Sequence, residues 1–509
     1  MREDTESGRT AGTGGLDGPG CGRWSAPAGL RAVVVGTAAL ALAGIPASAQ
    51  EGTPGDSARS ALPDVAPPGS RPVLQRLAEA PSADRIEEDL RKLVSFGTRH
   101  TLSDTVSEER GIGAARRWIK AEFERISEAC GGCLDVSYQR KVWADRERIP
   151  DSTAVVNVVA VQRGTADPDR YVVISGDIDS RVSDVMDATS RAPGANDNAT
   201  GVAGALEAAR VLSRHEFPAT IVYLALSGEE QGLFGGRQLA PVWKDRGIRV
   251  EAFLNNDMIG NVQGQDGVAD NTVARVFSHA IRADATDRMI RSLRYFGGEN
   301  DSPSRNLARY VDRVADRYVR NLDVLMIYRL DRFGRGGHHT PFNDQGYPAV
   351  RIMEAHEDYR RQHQDLRTEG GVEYGDVLSE VEFDFAAKMT GLNVATLASL
   401  AWAPAPPTGV EVEGAVEPST TLSWDPVDRE TNPHHAGYRV YWRRTDAPRW
   451  QHSVYVGDVT RHTLENVVID NHVFGVASVS ERGFESPVVF PGPLGSFLPV
   501  SMQERGGED

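Results

Sequence analysis

Three short stretches decide the reading: YVVISGDIDS at 171–180, RAPGANDNATG at 191–201 and TIVYLALSGEEQGLFGG at 220–236. Tyr171–Ser175 and Thr220–Leu226 are β-branched apolar runs bounded by glycine, the pattern of buried strands. Asp177 and Asp179 follow the first run, and Glu229 and Glu230 follow the second. Asp197 sits between them in a Gly/Asn turn, ahead of a helical pattern formed by Val202, Ala205, Leu206, Ala209 and Leu212. In an open α/β sheet, sites form outside the carboxyl ends of parallel strands, so this spacing gathers several carboxylates at one sheet edge. Left uncompensated they repel, and a bound metal is the usual remedy. Taken singly each is ordinary: a Glu-Glu pair suits a helix start, and an Asp in a Gly/Asn turn is a turn former.

Further strand-like runs lie at Leu134–Val142, Thr153–Gln162, Val250–Leu254, Leu322–Tyr328 and Ala349–Met353. Helical spacing recurs in Ile86, Leu90, Leu93 and Val94, in Ile112, Ala115, Ile119, Phe123 and Ile126, in a charged stretch over 272–315, and in Val381–Leu400. Strands alternating with helices predict a three-layer α/β/α domain around a mainly parallel mixed sheet, spanning 83–402. Beyond the stiff segment Ala403-Pro-Ala-Pro-Pro407 the pattern turns all-β over 403–498. LSWDP around Trp424, GYRVYWR from Gly437 and FGVASVSERGFESP from Phe474 resemble a fibronectin type III domain, with Trp424, Tyr438 and Val440 inward. Such a domain is expected to contact protein or polysaccharide.

The 509-residue chain carries a net charge of -16, which argues against nucleic acid as a partner. Residues 1–49 read as a signal peptide: Arg31 precedes the apolar run Ala32–Ile45, and Pro46-Ala-Ser-Ala49 fits a cleavage site. The run is short for a membrane span, so the mature chain is expected to have none and to be exported, periplasmic or extracellular. Residues 50–82 read as a flexible linker and 499–509 as a disordered tail. Cys130 and Cys133 are expected to form a small disulfide loop at a helix end. A redox motif would instead open a helix after a strand, and a zinc knuckle would need a second cysteine pair.

Together SGDIDS, APGANDNATG, SGEEQGLFG, NNDMIG and RQHQDLRT resemble, in this order, the five metal-site motifs of the co-catalytic zinc aminopeptidases of peptidase family M28, which include bacterial leucyl aminopeptidase and aminopeptidase S. The resemblance covers roughly 84–401 and implies an exported aminopeptidase of zinc-exopeptidase fold acting on peptide substrates. It implies that Asp197 bridges two divalent ions, that Glu230 and His363 complete one site, and that Asp257 with Asp177 completes the other. Glu229 matches the general base, Asp179 a carboxylate that orients a ligand, and His339 a pocket wall. It also implies a cis peptide bond at Asp197–Asn198. Two positions depart from the family: Asp177 stands where a histidine is usual, and His338 where an aspartate is usual. With Asp177 the second site has oxygen ligands only, so zinc is expected in the first and zinc, manganese or magnesium in the second. Rival readings are a single-metal glutaminyl cyclase or other hydrolase of the same fold, and a binding protein that has lost catalysis. No proposed ligand lies beyond Ala401, so the β domain is expected to be dispensable for metal binding.

Overall fold

A computed structural model describes residues 66–503, residue 68 apart; the leader lies outside the described residues. Eight strands form one sheet: β1 (Asp135–Trp143), β2 (Thr153–Gln162), β3 (Asp167–Asp177), β4 (Ala219–Leu226), β5 (Arg249–Asn256), β6 (Val273–Phe277), β7 (Asp323–Ile327) and β8 (Ala349–Glu354). Their order is β1-β2-β4-β3-β5-β8-β6-β7. β4, β3, β5 and β8 run parallel, while β1, β2 and the β8–β6 pair supply antiparallel neighbours. The mixed, centrally parallel sheet agrees with the sequence reading.

β3 shows why two layers of helix are needed. Val172 and Ile174 point into one apolar core, Tyr171 and Val173 into another. Helices Ala83–Ser95, Gly111–Ala129, Thr200–Leu212 and Phe383–Trp402 contribute to the first core, and Phe234–Asp245 and His339–Asp344 to the second. The chain leaves β3 through Thr200–Leu212 to reach β4, then returns across β3 through Phe234–Asp245 to reach β5. The strand order therefore switches at β3, and a crevice opens at the carboxyl ends of β3, β4 and β5. Helix Thr200–Leu212 presses close there: a Cβ on Gly176 would lie 2.1 Å from the Gly201 carbonyl carbon.

Three expectations are corrected. The stretch 50–82 is not linker throughout: Pro72–Ala78 is a helix with Pro72 in its first turn, and Leu74 and Leu77 enter the main core. Its Pro-rich surroundings masked a buried turn. The charged region 272–315 opens with strand β6 before helices Asp287–Phe296 and Pro303–Tyr318. In the tail, Val500–Gln503 forms a helical turn, and the Val500 amide donates to Asp284 Oδ2 at 2.7 Å. Cys130 and Cys133 are disulfide-bonded, as expected.

The C-terminal region holds two three-stranded antiparallel sheets. They share an apolar core that includes Trp424, Tyr438 and Val440. This region is not loosely tethered. Buried Glu485 pairs with Arg313 at 3.0 Å, Arg439 at 3.2 Å and Arg71 at 3.4 Å. Asp301 pairs with Arg443 at 2.7 Å and Arg309 at 3.0 Å, and Arg449 with Asp312 at 2.6 Å. Phe484 packs on Trp402 with ring centroids 5.1 Å apart. Removing the β region would leave Arg71, Arg313, Asp301 and Asp312 without these partners, and breaking buried pairs is strongly destabilising. The expectation of a dispensable β domain gives way to a shared interface.

Candidate metal centre

The crevice collects its side chains from the ends of four strands. Asp177 is the last residue of β3 and Asp179 lies just past it; Glu229 and Glu230 follow β4, Asp257 follows β5, and His363 lies in the loop after β8. Asp197 lies on a single irregular turn, Ala195–Ala199, that enters helix Thr200–Leu212 and contains a cis Asp197–Asn198 peptide bond. Buried Asp376 holds this turn by accepting the Asn196 and Asp197 amides at 2.8 and 2.7 Å. Glu354 accepts the Asn196 side chain at 2.9 Å. Neither acid was singled out in the sequence, because both act only through backbone or amide groups far along the chain.

Asp197, Glu230 and His363 come together. One ligand atom from each lies within 4.8 Å of the others. His363 Nε2 is 3.0 Å from Asp197 Oδ2 and 3.1 Å from Glu230 Oε1. His363 adopts a left-handed φ of 54°, a costly conformation that clusters at functional sites. Gln362 donates to Asp197 at 3.1 Å, and Arg181 contacts Glu230 Oε2 at 2.9 Å and His363 Nδ1 at 2.7 Å. An ion at Nε2 requires the ring proton on Nδ1, so Arg181 must then release that nitrogen while keeping Glu230. Burial disfavours a charged His363, but Glu230 and Asp197 outweigh it and raise its pKa to about 9. Burial likewise opposes ionisation of Asp197 and Glu230, yet His363 holds both below the usual carboxylate range. The trio thus draws a positive charge to the point where its ligand atoms meet. Two carboxylates and one imidazole match the donors that zinc takes in catalytic sites.

Asp177 and Asp257 do not join that group, and here the two-ion expectation meets a misfit. Asp177 Oδ1 lies 2.5 Å from His338 Nδ1, and Asp177 Oδ2 accepts from Asn198 Nδ2 at 2.8 Å. Asp257 Oδ2 lies 2.8 Å from Arg351 Nη2, an ion pair without an aligned hydrogen bond. Arg351 also pairs with Asp331 at 3.1 Å. Burial, only partly offset by Arg351, raises the Asp257 pKa to about 7. The two sequence departures therefore touch: the aspartate at 177 and the histidine at 338 form one pair. Asp179 has no imidazole to orient. Its carboxylate accepts the Glu229 and Glu230 amides at 3.2 and 3.0 Å and the Thr101 hydroxyl at 3.0 Å, fixing the turn that carries both glutamates. His339 is buried as a wall, its Nε2 2.8 Å from the Leu330 carbonyl.

Glu229 is only partly buried. Burial, then Glu230 and Asp257, push its pKa well above the usual range. It faces a cleft of about 560 Å³ lined also by Glu230, His363, Phe234, Arg148 and Arg335. A second cleft of about 660 Å³ lies beside the disulfide and holds none of these acids.

Residues 157–369 match the profile of peptidase family M28. A probable zinc metalloprotease of Pyrenophora teres f. teres (strain 0-1) is 43% identical over 424 residues, covering 82% of this chain and 87% of that protein. A probable zinc metalloprotease of Leptosphaeria maculans is 44% identical over 427 residues, covering 84% and 98%. Among solved structures, the LapA aminopeptidase of Legionella pneumophila is similar with a TM-score of 0.48 and 18% identity, over 68% of this chain and 77% of that one.

Proposed function

The chain belongs to peptidase family M28 and is a metallopeptidase; on that premise we propose that it is an exported, zinc-dependent exopeptidase of the aminopeptidase type, with its catalytic ion on Asp197, Glu230 and His363. The observation that carries this reading is the convergence of those three ligand atoms beside Glu229, at the mouth of a cleft. When bound, zinc supplies a Lewis acid that polarises a carbonyl and makes water acidic. Glu229 takes the proton of the attacking water and delivers it to the leaving amine. Asp179 sets its position by holding two successive amides. Arg181 and Gln362 orient Glu230 and Asp197. Asp177 pairs with His338 and Asp257 with Arg351, so neither joins the point where the ligand atoms of Asp197, Glu230 and His363 meet.

The test is elemental analysis of the purified protein together with hydrolysis of aminoacyl-nitroanilides. About one zinc per chain and metal-dependent cleavage are expected; a metal-free protein that cleaves nothing after zinc addition overturns the reading. A single-ion half-site also favours cyclisation of N-terminal glutamine as a second reading. Glutaminyl peptides in the same panel separate the two, since cyclisation releases ammonia and leaves the peptide bond intact. The C-terminal region is, in this reading, a fibronectin type III-like unit that stabilises the enzyme through the Glu485 network.

A further inference from the structure

The cleft beside Glu229 is rich in arginine. Arg146, Arg148, Arg181, Arg237 and Arg335 all line it, in a protein whose net charge is -16. The acids lining the same cleft are Glu147, Glu229 and Glu230, and the last two belong to the reaction. Arg181 is committed to Glu230 and His363. The other four are exposed.

Two of them are anchored beside the reacting groups. Arg148 Nη1 donates to the Glu230 backbone carbonyl at 2.9 Å. Arg335 Nη1 donates to Gln362 Oε1 at 3.0 Å, one residue from His363. Each anchor uses one of five guanidinium N–H groups and leaves the rest of a planar fork free, the geometry that pairs with carboxylate. The anchors come from distant parts of the chain, the β1–β2 connection and the glycine-rich loop before His338, yet both reach the residues around the ion site.

We propose that Arg148 and Arg335 bind a carboxylate of the substrate, so that the enzyme selects peptides carrying a negative charge next to the scissile bond. This rests on the peptidase reading above and names the substrate class of that site. The carboxylate has two possible sources: the terminal α-carboxylate of a dipeptide, or the side chain of an N-terminal aspartate or glutamate. A bare need to neutralise Glu229 and Glu230 does not account for the pattern, because Arg148 and Arg335 bond to a backbone carbonyl and an amide, not to carboxylates.

The experiment compares kcat/KM for matched pairs with the zinc-loaded full chain. Alanyl-alanine against its C-terminal amide tests the α-carboxylate; glutamyl-alanine amide against glutaminyl-alanine amide tests the side chain. One pair should show a preference of about 10-fold or more for the charged member, the range of a charge-assisted bidentate contact. That ratio should collapse toward one in Arg148→Gln and Arg335→Gln, through KM more than kcat, with zinc content unchanged. A ratio near one for both pairs in the wild type, or one that survives both substitutions, overturns the proposal. Calorimetry with glutarate and glutaramide keeps it separate from the peptidase reading. Glutarate binding that weakens about 10-fold or more in both variants supports the carboxylate site even if no peptide is cleaved. Equal binding by wild type and variants refutes it even if peptides are cleaved.

Discussion

Asp197, Glu230 and His363 point their ligand atoms at one another, whereas Asp177 and Asp257, at neighbouring strand ends, point at His338 and Arg351. Both clusters are buried acids at the end of one sheet, and both face the same cost of burying charge. The first leaves a place for an external cation. The second is closed by His338 and Arg351, side chains of the protein itself. A carboxylate held by an internal donor has less need of a metal, so one edge supports chemistry at one half and stability at the other.

Four measurements break or sharpen this contrast, largest effect first. Glu229→Gln acts on the open half alone: kcat should fall about 10²–10⁴-fold, the range for general-base loss, while zinc content stays constant by elemental analysis. Retention of most activity would move the base elsewhere. Arg351→Met acts on the closed half. It strands Asp257 and Asp331 without their buried cation, and denaturant unfolding should report a loss of about 3–5 kcal/mol. If excess zinc restores that stability, the closed half can take an ion after all.

Glu485 extends the comparison to a third cluster, closed by arginines. Burial opposes its charge, but Arg313, Arg439, Tyr441 and Arg71 outweigh burial and hold its pKa at about 2. A depressed carboxylate stabilises the fold fully above its unfolded pKa, near 4.5, and that stability disappears as pH falls toward 2. The contribution is about 3 kcal/mol. Acid unfolding of wild type and Glu485→Gln should therefore differ at pH 6 and converge near pH 2. The smallest change exchanges two residues: Asp177→His with His338→Asp restores the family's usual arrangement. Zinc content should rise from about one to about two per chain, with little change in unfolding midpoint. An unchanged single zinc would show that Asp257 and Arg351 alone keep the second position closed.

The half whose ligand atoms converge was legible in the sequence because its residues lie in short motifs whose order is itself information. Asp197, Glu230 and His363 are read there, and the structure brings them together. The closed half was not legible. Asp177 and His338 lie 161 residues apart, and each alone reads only as a substitution. Arg351 left one unused trace: a charged residue inside Ala349–Met353, an otherwise apolar run of the kind that makes a buried strand. Asp376 and Glu354 bind backbone and amide groups, a role without a residue pattern. Strand β6 was hidden because its five residues, Val-Ala-Arg-Val-Phe, sit at the head of a long charged stretch that reads as helix.

Arg71 and Glu485 meet across 414 residues of chain. During synthesis at about 5–20 residues per second, some 20–80 s separate the arrival of the first from that of the second. Throughout that interval the first described helix has its arginine but not its partner, and Asp301 and Asp312, once made, still lack Arg443 and Arg449. The α/β domain is thus complete in sequence before its pairs with the C-terminal region can form. The contacts that Glu485, Arg443 and Arg449 make with the α/β region therefore wait for the last part of the chain to be made.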